Sequence, residues 1–318
     1  MQYRNNSKLA ISVVICTYNR AELLANSLQT LCEQTMNKSD YEVLVVDNNS
    51  QDSTPNLTES FCRYYPNIRY FLETRQGLSH ARNRGWQEAK GLYVAYVDDD
   101  CKMPIQWLKI AMKIIDRIAP AAFGGPAYAF YNSPKPYWWK DSYGTYQQSQ
   151  VPRPLRPLEY LQGNNIFFRR NVLEGMNGFD ARLGMSDKNL GYHEETELQR
   201  RIRKTMSHEL IYYDPNLHVF HLVRPEKMTS RWILNSFFAS GRCSYNVFQD
   251  KNPKIARLTK LKLLIKACVT LLFFFTDILV GLLRYDRERY PYLQNYLYEN
   301  TAKHVGALGK IYQAYMNG

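Results

Sequence analysis

The chain has 318 residues, 45% hydrophobic and 22% charged, which supplies enough apolar side chains for a core and excludes a disordered chain. Its 41 Lys and Arg against 29 Asp and Glu give a net charge of +12, which favours an anionic partner such as a nucleotide, a nucleic acid or a membrane surface. More than half of this excess lies at the C-terminal end, because residues 251–318 contain 11 Lys and Arg but only 4 Asp and Glu.

Cysteine usage indicates a reducing compartment. The six cysteines are scattered and form neither a CxxC pair nor a compact Cys/His group. They are Cys16, Cys32, Cys62, Cys101, Cys243 and Cys268. Residues 1–9 are polar and lack the apolar core of a signal peptide. We therefore expect a cytoplasmic protein with free thiols.

Strand and helix patterns alternate through residues 1–115. The predicted strands cover 11–15, 42–46, 68–71 and 92–97; the predicted helices cover 20–34, with Asn19 as its N-cap, then 53–64 and a segment that ends at 90. This order predicts an α/β domain with a mainly parallel sheet, whose ligands collect at the carboxyl ends of the strands. Neither GxGxxG nor GxxxxGK[ST] occurs, so the dinucleotide fingerprint and the P-loop lack support.

The pattern changes after Phe123. Prolines recur between residues 126 and 157 among many aromatic residues, so we expect no long helix there. The aromatic rings suit either a wall that stacks on a sugar or a base, or a hydrophobic cover over the sheet.

Three consecutive aspartates, Asp98, Asp99 and Asp100, end the strand predicted over 92–97. Side chains alternate along a strand, so Asp98 and Asp100 are expected on one side. Two carboxylates in a small volume favour a bound divalent cation, with Mg²⁺ or Mn²⁺ fitting best. The alternative is a helix N-cap before Pro104 with acids facing solvent.

Asp47 follows another predicted strand and could accept hydrogen bonds from a base or a ribose, although Asp-Asn-Asn-Ser also suits a plain turn. Arg82 lies near a helix start, where a guanidinium group could hold a diphosphate, or could simply lie at the surface.

Glu194 and Glu195 are predicted in the first turn of a helix. The helix dipole alone could explain both acids, and the functional interpretation makes one of them a general base for an incoming hydroxyl group. Further on, His221 could ligate the same metal ion or could be structural.

The C-terminal region combines basic and apolar segments. Six Lys and Arg and no acid lie between Lys251 and Lys266, and an apolar run from Ala267 to Leu283 is interrupted by Asp277. On a helix, the polar positions Lys262, Lys266, Thr270, Asp277, Gly281 and Arg284 share one narrow arc. We favour a helix over 251–284 lying on an anionic membrane surface or on a partner, over a buried helix or a membrane span.

In order and spacing, these motifs resemble the inverting glycosyltransferases of family 2 from about Ile11 to Gly241. The matching elements are Thr17-Tyr18-Asn19-Arg20, Val-Val-Asp-Asn-Asn-Ser around Asp47, Gly77 with Ala81-Arg82-Asn83, Asp98-Asp99-Asp100, Gln162-Gly163-Asn164-Asn165, Asn177 to Asp180, Glu194-Glu195-Thr196-Glu197-Leu198 and His221, followed by Arg231 and Gly241. The acidic pair differs from the more common Glu-Asp of the family, because this chain has Glu195 at the second position.

The resemblance implies the GT-A fold, which is Rossmann-like with a mainly parallel central sheet and flanking helices, plus a C-terminal helical extension. It also implies roles for individual residues. Nucleotide and donor binding falls to Thr17, Tyr18, Asn19, Arg20, Asp47, Arg82, Asp98, Asp99, Gly163 and Asn165; metal binding to Asp100, Asp98 and His221; and the general base to Glu195 or Glu194. The implied cofactor is Mn²⁺ or Mg²⁺, and the implied reaction is a single displacement that inverts the anomeric carbon.

The expected domains are a catalytic domain over 1–245, with a nucleotide-binding half at 1–115 and an acceptor half at 116–245, and a membrane-associating extension over 246–318. The expected function is transfer from a nucleotide-diphosphate sugar, with UDP as the expected carrier, to a glycan or lipid-linked acceptor in surface polysaccharide synthesis, at the inner face of the cell membrane. Nucleic acid is not an expected partner. The alternatives are a nucleotidyltransferase that makes a sugar nucleotide and a non-catalytic polysaccharide-binding protein.

Overall fold

The structure of the protein is a computed structural model that describes residues 9–186, 190–248, 257–284 and 286–317. Two units are distinguished: Met1–Phe130 with Gly144–Asp187 and Glu194–Leu222, and Tyr131–Tyr143 with Lys188–His193 and Val223–Gly318. The second unit therefore begins earlier than the expected division at residue 246, and it includes two short segments from the middle of the chain.

The first unit contains eleven strands and six helices among the described residues. Its elements in chain order are β1 (Ile11–Thr17), α1 (Ala21–Cys32), β2 (Tyr41–Asp47), α2 (Thr54–Tyr64), β3 (Ile68–Leu72), α3 (Leu78–Glu88), β4 (Tyr93–Asp98), β5 (Cys101–Lys102), α4 (Trp107–Arg117), β6 (Ala122–Gly124), β7 (Ala127–Phe130), β8 (Arg153–Pro154), β9 (Asn165–Arg169), α5 (Arg170–Met176), α6 (Glu194–Thr205), β10 (Ile211–Tyr213) and β11 (Val219–Leu222). Each of the four predicted strands is present. Strands β1, β2 and β3 are one or two residues longer than predicted, and β4 has the predicted length but lies one residue further along the chain.

The main sheet has the strand order β3-β2-β1-β4-β9-β6-β10-β8. Strands β3, β2, β1 and β4 are parallel, with Thr17 level with Asp47 and Cys16 level with Asp98. The carboxyl ends of β1, β2 and β4 therefore meet at one edge, as the sequence predicted. Strand β9 runs antiparallel between β4 and β6. A smaller sheet has the order β5-β11-β7.

Both faces of the main sheet are covered by helices. Alternation along β1 sends Val13 and Ile15 into a core shared with α1 and α4, and sends Val14 into a second core shared with α3, α5 and α6. A strand that is buried on both faces needs the continuous apolar sequence that residues 11–15 have. The region between Pro126 and Pro157 forms only short strands and a 3₁₀ turn over Asp141–Tyr143, which confirms the expected lack of a long helix.

Helix α1 begins one residue later than predicted. Arg20 takes the N-cap position, and Asn19 adopts a left-handed backbone conformation with φ of 52°. The Asn19 side chain instead accepts a hydrogen bond from the backbone N–H of Gln51 at 2.7 Å. Asparagine tolerates this conformation because its short amide can bond locally.

The second unit contains α7 (Ser230–Phe248), α8 (Arg257–Arg284) and α9 (Leu293–Met316). Helix α9 packs against both α7 and α8. A Cβ atom at Gly241 of α7 would lie 1.9 Å from the backbone oxygen of Gly306 in α9, so the two helices approach closely only because the position is glycine. This packing places α7 in the same unit as the C-terminal helices. Lys251 and Lys254 of the predicted basic run lie outside the described residues.

Candidate active site

The turn after β2 is organised around Asp47, which is fully buried. Its Oδ1 accepts the backbone N–H of Ser50 at 2.8 Å, and its Oδ2 accepts the hydroxyl group of Tyr70 at 2.9 Å. Burial and the bond to Asp47 raise the pKa of Tyr70, so the hydroxyl remains a donor. Asp47 thus holds the turn, one of the two roles left open by the sequence, and base contact remains a prediction.

Asp99 supports the site through hydrogen bonds to other protein groups. It is only 2% exposed; its Oδ2 accepts the Thr17 hydroxyl at 2.8 Å and its Oδ1 accepts Arg20 Nη1 at 3.0 Å. These bonds link the ends of β1 and β4 to the start of α1, and the donor contacts of Thr17, Arg20 and Asp99 remain predictions. Tyr18 is half-buried, and Asn19 is exposed.

The backbone turns within the acidic triplet Asp98-Asp99-Asp100. Asp98 ends β4, whereas Asp99 and Asp100 form the turn into β5. The expected alternation along a strand is therefore wrong at Asp100, and the turn brings Asp98 and Asp100 together. Their ligand atoms and a ring nitrogen of His221 all lie within 4.8 Å of one another. The grouping of these three residues agrees with the prediction.

Strand β11 supplies His221 to this group. It pairs antiparallel with β5, which places His221 opposite Cys101, and Leu222 N–H donates to Asp100 O at 3.0 Å. As a result, His221 Nε2 lies 3.2 Å from Asp100 Oδ1. The histidine is positioned by a strand that follows the triplet by more than one hundred residues.

The Asp98, Asp100 and His221 side chains fit a divalent cation. Carboxylate oxygens suit Mg²⁺ and Mn²⁺, and an imidazole nitrogen is a common ligand of transition metals. Two ligands of one such ion are about 3 to 4.2 Å apart, so groups within 4.8 Å of each other need only small adjustments. The Asp98 side chain is 37% exposed, which leaves this site accessible to a ligand from solvent.

Arg82 joins the acidic cluster to the glutamates. Its Nη1 donates to Glu194 Oε1 at 2.5 Å, and its Nη2 donates to Gly163 O at 3.2 Å and lies 3.8 Å from Asp98 Oδ1. Burial opposes the charge on Arg82, but Glu194 and Asp98 outweigh it and raise its pKa above the usual value. Arg82 is 3% exposed and positions protein groups, and its contact with a diphosphate remains a prediction.

Glu194 and Glu195 have different environments, although both begin α6 as predicted. Glu194 is buried in the ion pair with Arg82. Burial and the negative charge on Glu194 raise the pKa of Glu195 to about 8, with Arg82 acting in the opposite direction. A carboxylate with a raised pKa is a better proton acceptor, so Glu195 is the stronger candidate for the general base.

Gly163, which lies just before β9, contacts Arg82 of the site. A Cβ at Gly163 would lie 2.4 Å from Arg82 Nη2, so this position must be glycine for the arginine to fit. The Asn165 side chain is 1% exposed and bridges protein groups: it donates to Pro126 O and Leu217 O and accepts a hydrogen bond from Trp107 Nε1 at 3.1 Å. Its contact with the donor remains a prediction.

Ser27 is a functional support that the sequence analysis missed. Its hydroxyl group lies 2.8 Å from Asp99 O and 2.6 Å from Cys101 O, which fixes the turn that carries Asp100. The available signal was a serine between Leu24 and Leu28 on the apolar face of α1, since a buried hydroxyl group needs a partner.

The parallel strands and the acidic residues at their carboxyl ends define an α/β protein of the nucleotide-binding type. The sequence profile described as Glycosyl transferase family 2 matches residues 12–176, and the chain belongs to this family. Glycosyltransferase AglE from Haloferax volcanii is 32% identical over 174 residues, which cover 54% of this chain and 57% of AglE. The match thus spans little more than half of that relative. The resemblance to family 2 is confirmed.

Solved structures agree with the fold. Mannosyltransferase PcManGT from Pyrobaculum calidifontis, in complex with GDP-Man and Mn²⁺, has a TM-score of 0.58 at 18% identity, covering 96% of this chain and 74% of that chain. S. aureus TarS 1–349, in complex with UDP-GlcNAc, has a TM-score of 0.55 at 19% identity, covering 98% of this chain and 92% of that chain. The GT-A fold with a C-terminal helical region is therefore confirmed.

Proposed function

We propose that this chain transfers a sugar from a nucleotide-diphosphate donor to a hydroxyl group of a glycan or glycolipid, with inversion at the anomeric carbon. One observation carries the proposal: Arg82 lies between the Asp98 carboxylate and the Glu194–Glu195 pair, all within the first unit. A site for a phosphate-bound cation and a candidate base are thereby held at a fixed separation, which a displacement between two bound substrates requires.

Asp98, Asp100 and His221 would hold Mn²⁺ or Mg²⁺. When bound, the ion would neutralise the diphosphate leaving group as the sugar departs. The choice of ion is supported by the mixed oxygen and nitrogen ligands, and by the Mn²⁺ in the PcManGT complex. Asp47 would contact the base or the ribose of the donor through the oxygen lone pairs not used by Ser50 and Tyr70.

Glu195 would take the proton of the acceptor hydroxyl group as that oxygen attacks the anomeric carbon. The C–O bond to the diphosphate breaks while the bond to the acceptor oxygen forms, so the configuration inverts in one step. Glu194 has a different task, because its carboxylate is committed to Arg82. This division of roles supports Glu195 over Glu194 as the general base.

We further propose a UDP-sugar as the donor, and surface polysaccharide synthesis at the inner face of the cell membrane as the setting. The UDP-GlcNAc complex of the TarS neighbour supports the uridine carrier. Six free cysteines support a reducing compartment, and the net charge of +7 over residues 251–318 supports an anionic membrane surface.

The test is a panel of UDP-, GDP- and other nucleotide sugars, assayed for release of nucleoside diphosphate with Mn²⁺, with Mg²⁺ and with a chelator. We expect turnover of at least one UDP-sugar, loss of turnover with the chelator, and product NMR that shows inversion. Preferential turnover of a GDP-sugar would change only the proposed nucleobase of the donor, from uracil to guanine. Tight polysaccharide binding without release from any donor would instead support a non-catalytic binding protein.

A further inference from the structure

Helix α8 has two faces of different character. The inner face consists of the less exposed residues, at spacings of three and four along the helix: Lys260, Leu263, Ala267, Thr270, Phe274, Asp277, Ile278 and Gly281. The outer face consists of twelve exposed, large apolar residues: Leu261, Leu264, Ile265, Val269, Leu271, Leu272, Phe273, Phe275, Leu279, Val280, Leu282 and Leu283.

The inner face packs against α9. Asp277 Oδ2 lies 2.8 Å from His304 Nε2 and 3.7 Å from Lys303 Nζ, and the ammonium group of Lys260 lies over the ring of Tyr315. A Cβ at Gly281 would lie 2.2 Å from the Tyr296 ring. The polar arc predicted from the sequence is thus divided. Thr270, Asp277 and Gly281 belong to the inner face, whereas Lys262, Lys266 and Arg284 are exposed.

The outer face is large and uncharged. Its side chains are 39% to 71% exposed, and the most apolar 18 residues within Lys260–Arg284 have a mean hydropathy of 2.2. Between Ala267 and Leu283 the sole charged residue is Asp277, which is directed to α9. An exposed apolar surface of this size marks an interaction site, because leaving it in water costs about 25 cal/mol for each Å².

Charge identifies the kind of partner. The exposed cations Lys262 and Lys266 lie in the first turns of α8, and Arg284 ends the helix. The outer face has no acid that would repel an anionic surface. An apolar face flanked by cations matches the interface of a bilayer, where lysine and arginine reach the anionic headgroups and the apolar side chains enter the acyl boundary.

The contact with α9 also determines the orientation. If α8 crossed the membrane with this contact intact, α9 would enter the hydrocarbon beside it. Helix α9 contains Glu299, Lys303, His304 and Lys310, and charged groups in hydrocarbon are costly. We propose that the outer face of α8 lies in the interfacial region of an anionic lipid bilayer, with the helix axis parallel to the membrane plane and α9 on the aqueous side.

The experiment is flotation of the full-length chain with vesicles of phosphatidylcholine alone or mixed with phosphatidylglycerol, without nucleotide sugar. We expect flotation with the mixed vesicles and little or none with phosphatidylcholine alone. Leu272→Glu or Phe275→Glu should each lower the partition coefficient about tenfold or more, because burial of such a side chain is worth about 1.5–3 kcal/mol. Lys262→Gln or Lys266→Gln should each lower the partition coefficient about fivefold, on anionic vesicles only.

Leu158→Glu is the matched control, since Leu158 is 86% exposed and lies in the first unit. It should leave flotation unchanged, and thermal melts should show that every variant is folded. Cys268 on α8 is exposed, so its reaction with a water-soluble maleimide should slow when vesicles are added; the Cys268→Ser variant identifies this signal.

Four results would overturn the proposal: no flotation with either vesicle, equal flotation with both vesicle compositions, an equal loss in Leu158→Glu, or a dimer in solution that Leu272→Glu dissociates while flotation is unchanged. Because no donor or acceptor is present, failure here leaves the glycosyl transfer proposal intact, and failure of that proposal leaves this one intact.

Discussion

The two acidic groups of the site, Asp98–Asp100 and Glu194–Glu195, balance their charge differently. Glu194 has a cation of the protein, Arg82, at 2.5 Å. Asp98 is 3.8 Å from the same guanidinium group, and Asp100 has the ring of His221 at 3.2 Å. A permanent protein cation holds the glutamate pair in place, whereas the Asp98–Asp100 group has the geometry to accept an exchangeable cation.

This difference teaches how one fold can separate positioning from chemistry. The ion pair of Arg82 and Glu194 is covered by protein and fixes α6 to α3. The pKa of the neighbouring Glu195 is raised to about 8, so we expect its protonation to be the one that changes during a reaction. The predictions below alter one member of each group and ask whether the two groups fail in different ways.

The largest effect is expected from Glu195→Gln. Removal of a general base typically costs about 10²- to 10⁴-fold in rate, so kcat should fall by that factor. Binding of the donor, measured by titration calorimetry with Mn²⁺, should stay near that of the unchanged protein, because glutamine keeps the size of the side chain.

The matched control is Glu197→Gln, since Glu197 lies two residues further along α6 and bonds to Arg201 at 2.8 Å. Its turnover should remain within a small factor of the unchanged protein. Near-normal turnover of Glu195→Gln, or an equal loss in both variants, would remove Glu195 from the role of base.

Arg82→Met should act on stability as well as on activity. It leaves Glu194 buried without its cation, and breaking a buried pair typically costs about 3–5 kcal/mol in the free energy of unfolding. Chemical denaturation measures this cost. The double variant Arg82→Met with Glu194→Gln should recover part of it, because no uncompensated charge remains. A loss in the double variant equal to the sum of the single losses would show that the two residues act independently.

Much of the fold could be predicted from local patterns. The continuous apolar runs of β1 and β2 and the periodicity of α1 depend on neighbouring residues, which the sequence shows directly. The membership of α7 in the helical unit could not be predicted in this way. It depends on the contact of Gly241 with Gly306, and no local pattern links two glycines 65 positions apart.

The candidate site, too, could be predicted only in part from the sequence. The grouping of Asp98, Asp100 and His221 follows from strand ends and a family motif. The inward role of Asp99 depends on a tight turn, and that of Asn165 on β9 depends on Trp107 from α4. Such long-range hydrogen bonds decide whether a polar residue faces a ligand or the protein, and they become visible only in the folded chain.

Asp100→Asn should weaken the cation site without altering the glutamates. Loss of a ligand charge should lower turnover about 10²-fold at low Mn²⁺, with partial recovery as Mn²⁺ is raised, because the defect is in affinity. Calorimetric titration of UDP with and without Mn²⁺ measures the same loss as binding. The control is Asp116→Asn on the exposed face of α4, which should behave as the unchanged protein. Undiminished Mn²⁺-dependent UDP binding by Asp100→Asn would refute the ligand role.

The smallest expected effect is a shift in the pH profile. Glu195 accepts a proton only as a carboxylate, and its pKa is raised to about 8, so kcat/KM should rise with pH and level off above that value. Below it, each pH unit should cost about tenfold. Glu194→Gln removes the adjacent negative charge and leaves Arg82 to act on Glu195, so the midpoint should move to lower pH. Glu197→Gln should leave the midpoint in place. A profile that is flat from acid to neutral pH, or a midpoint that Glu194→Gln raises, would contradict the coupling between the two glutamates and with it the division of roles between them.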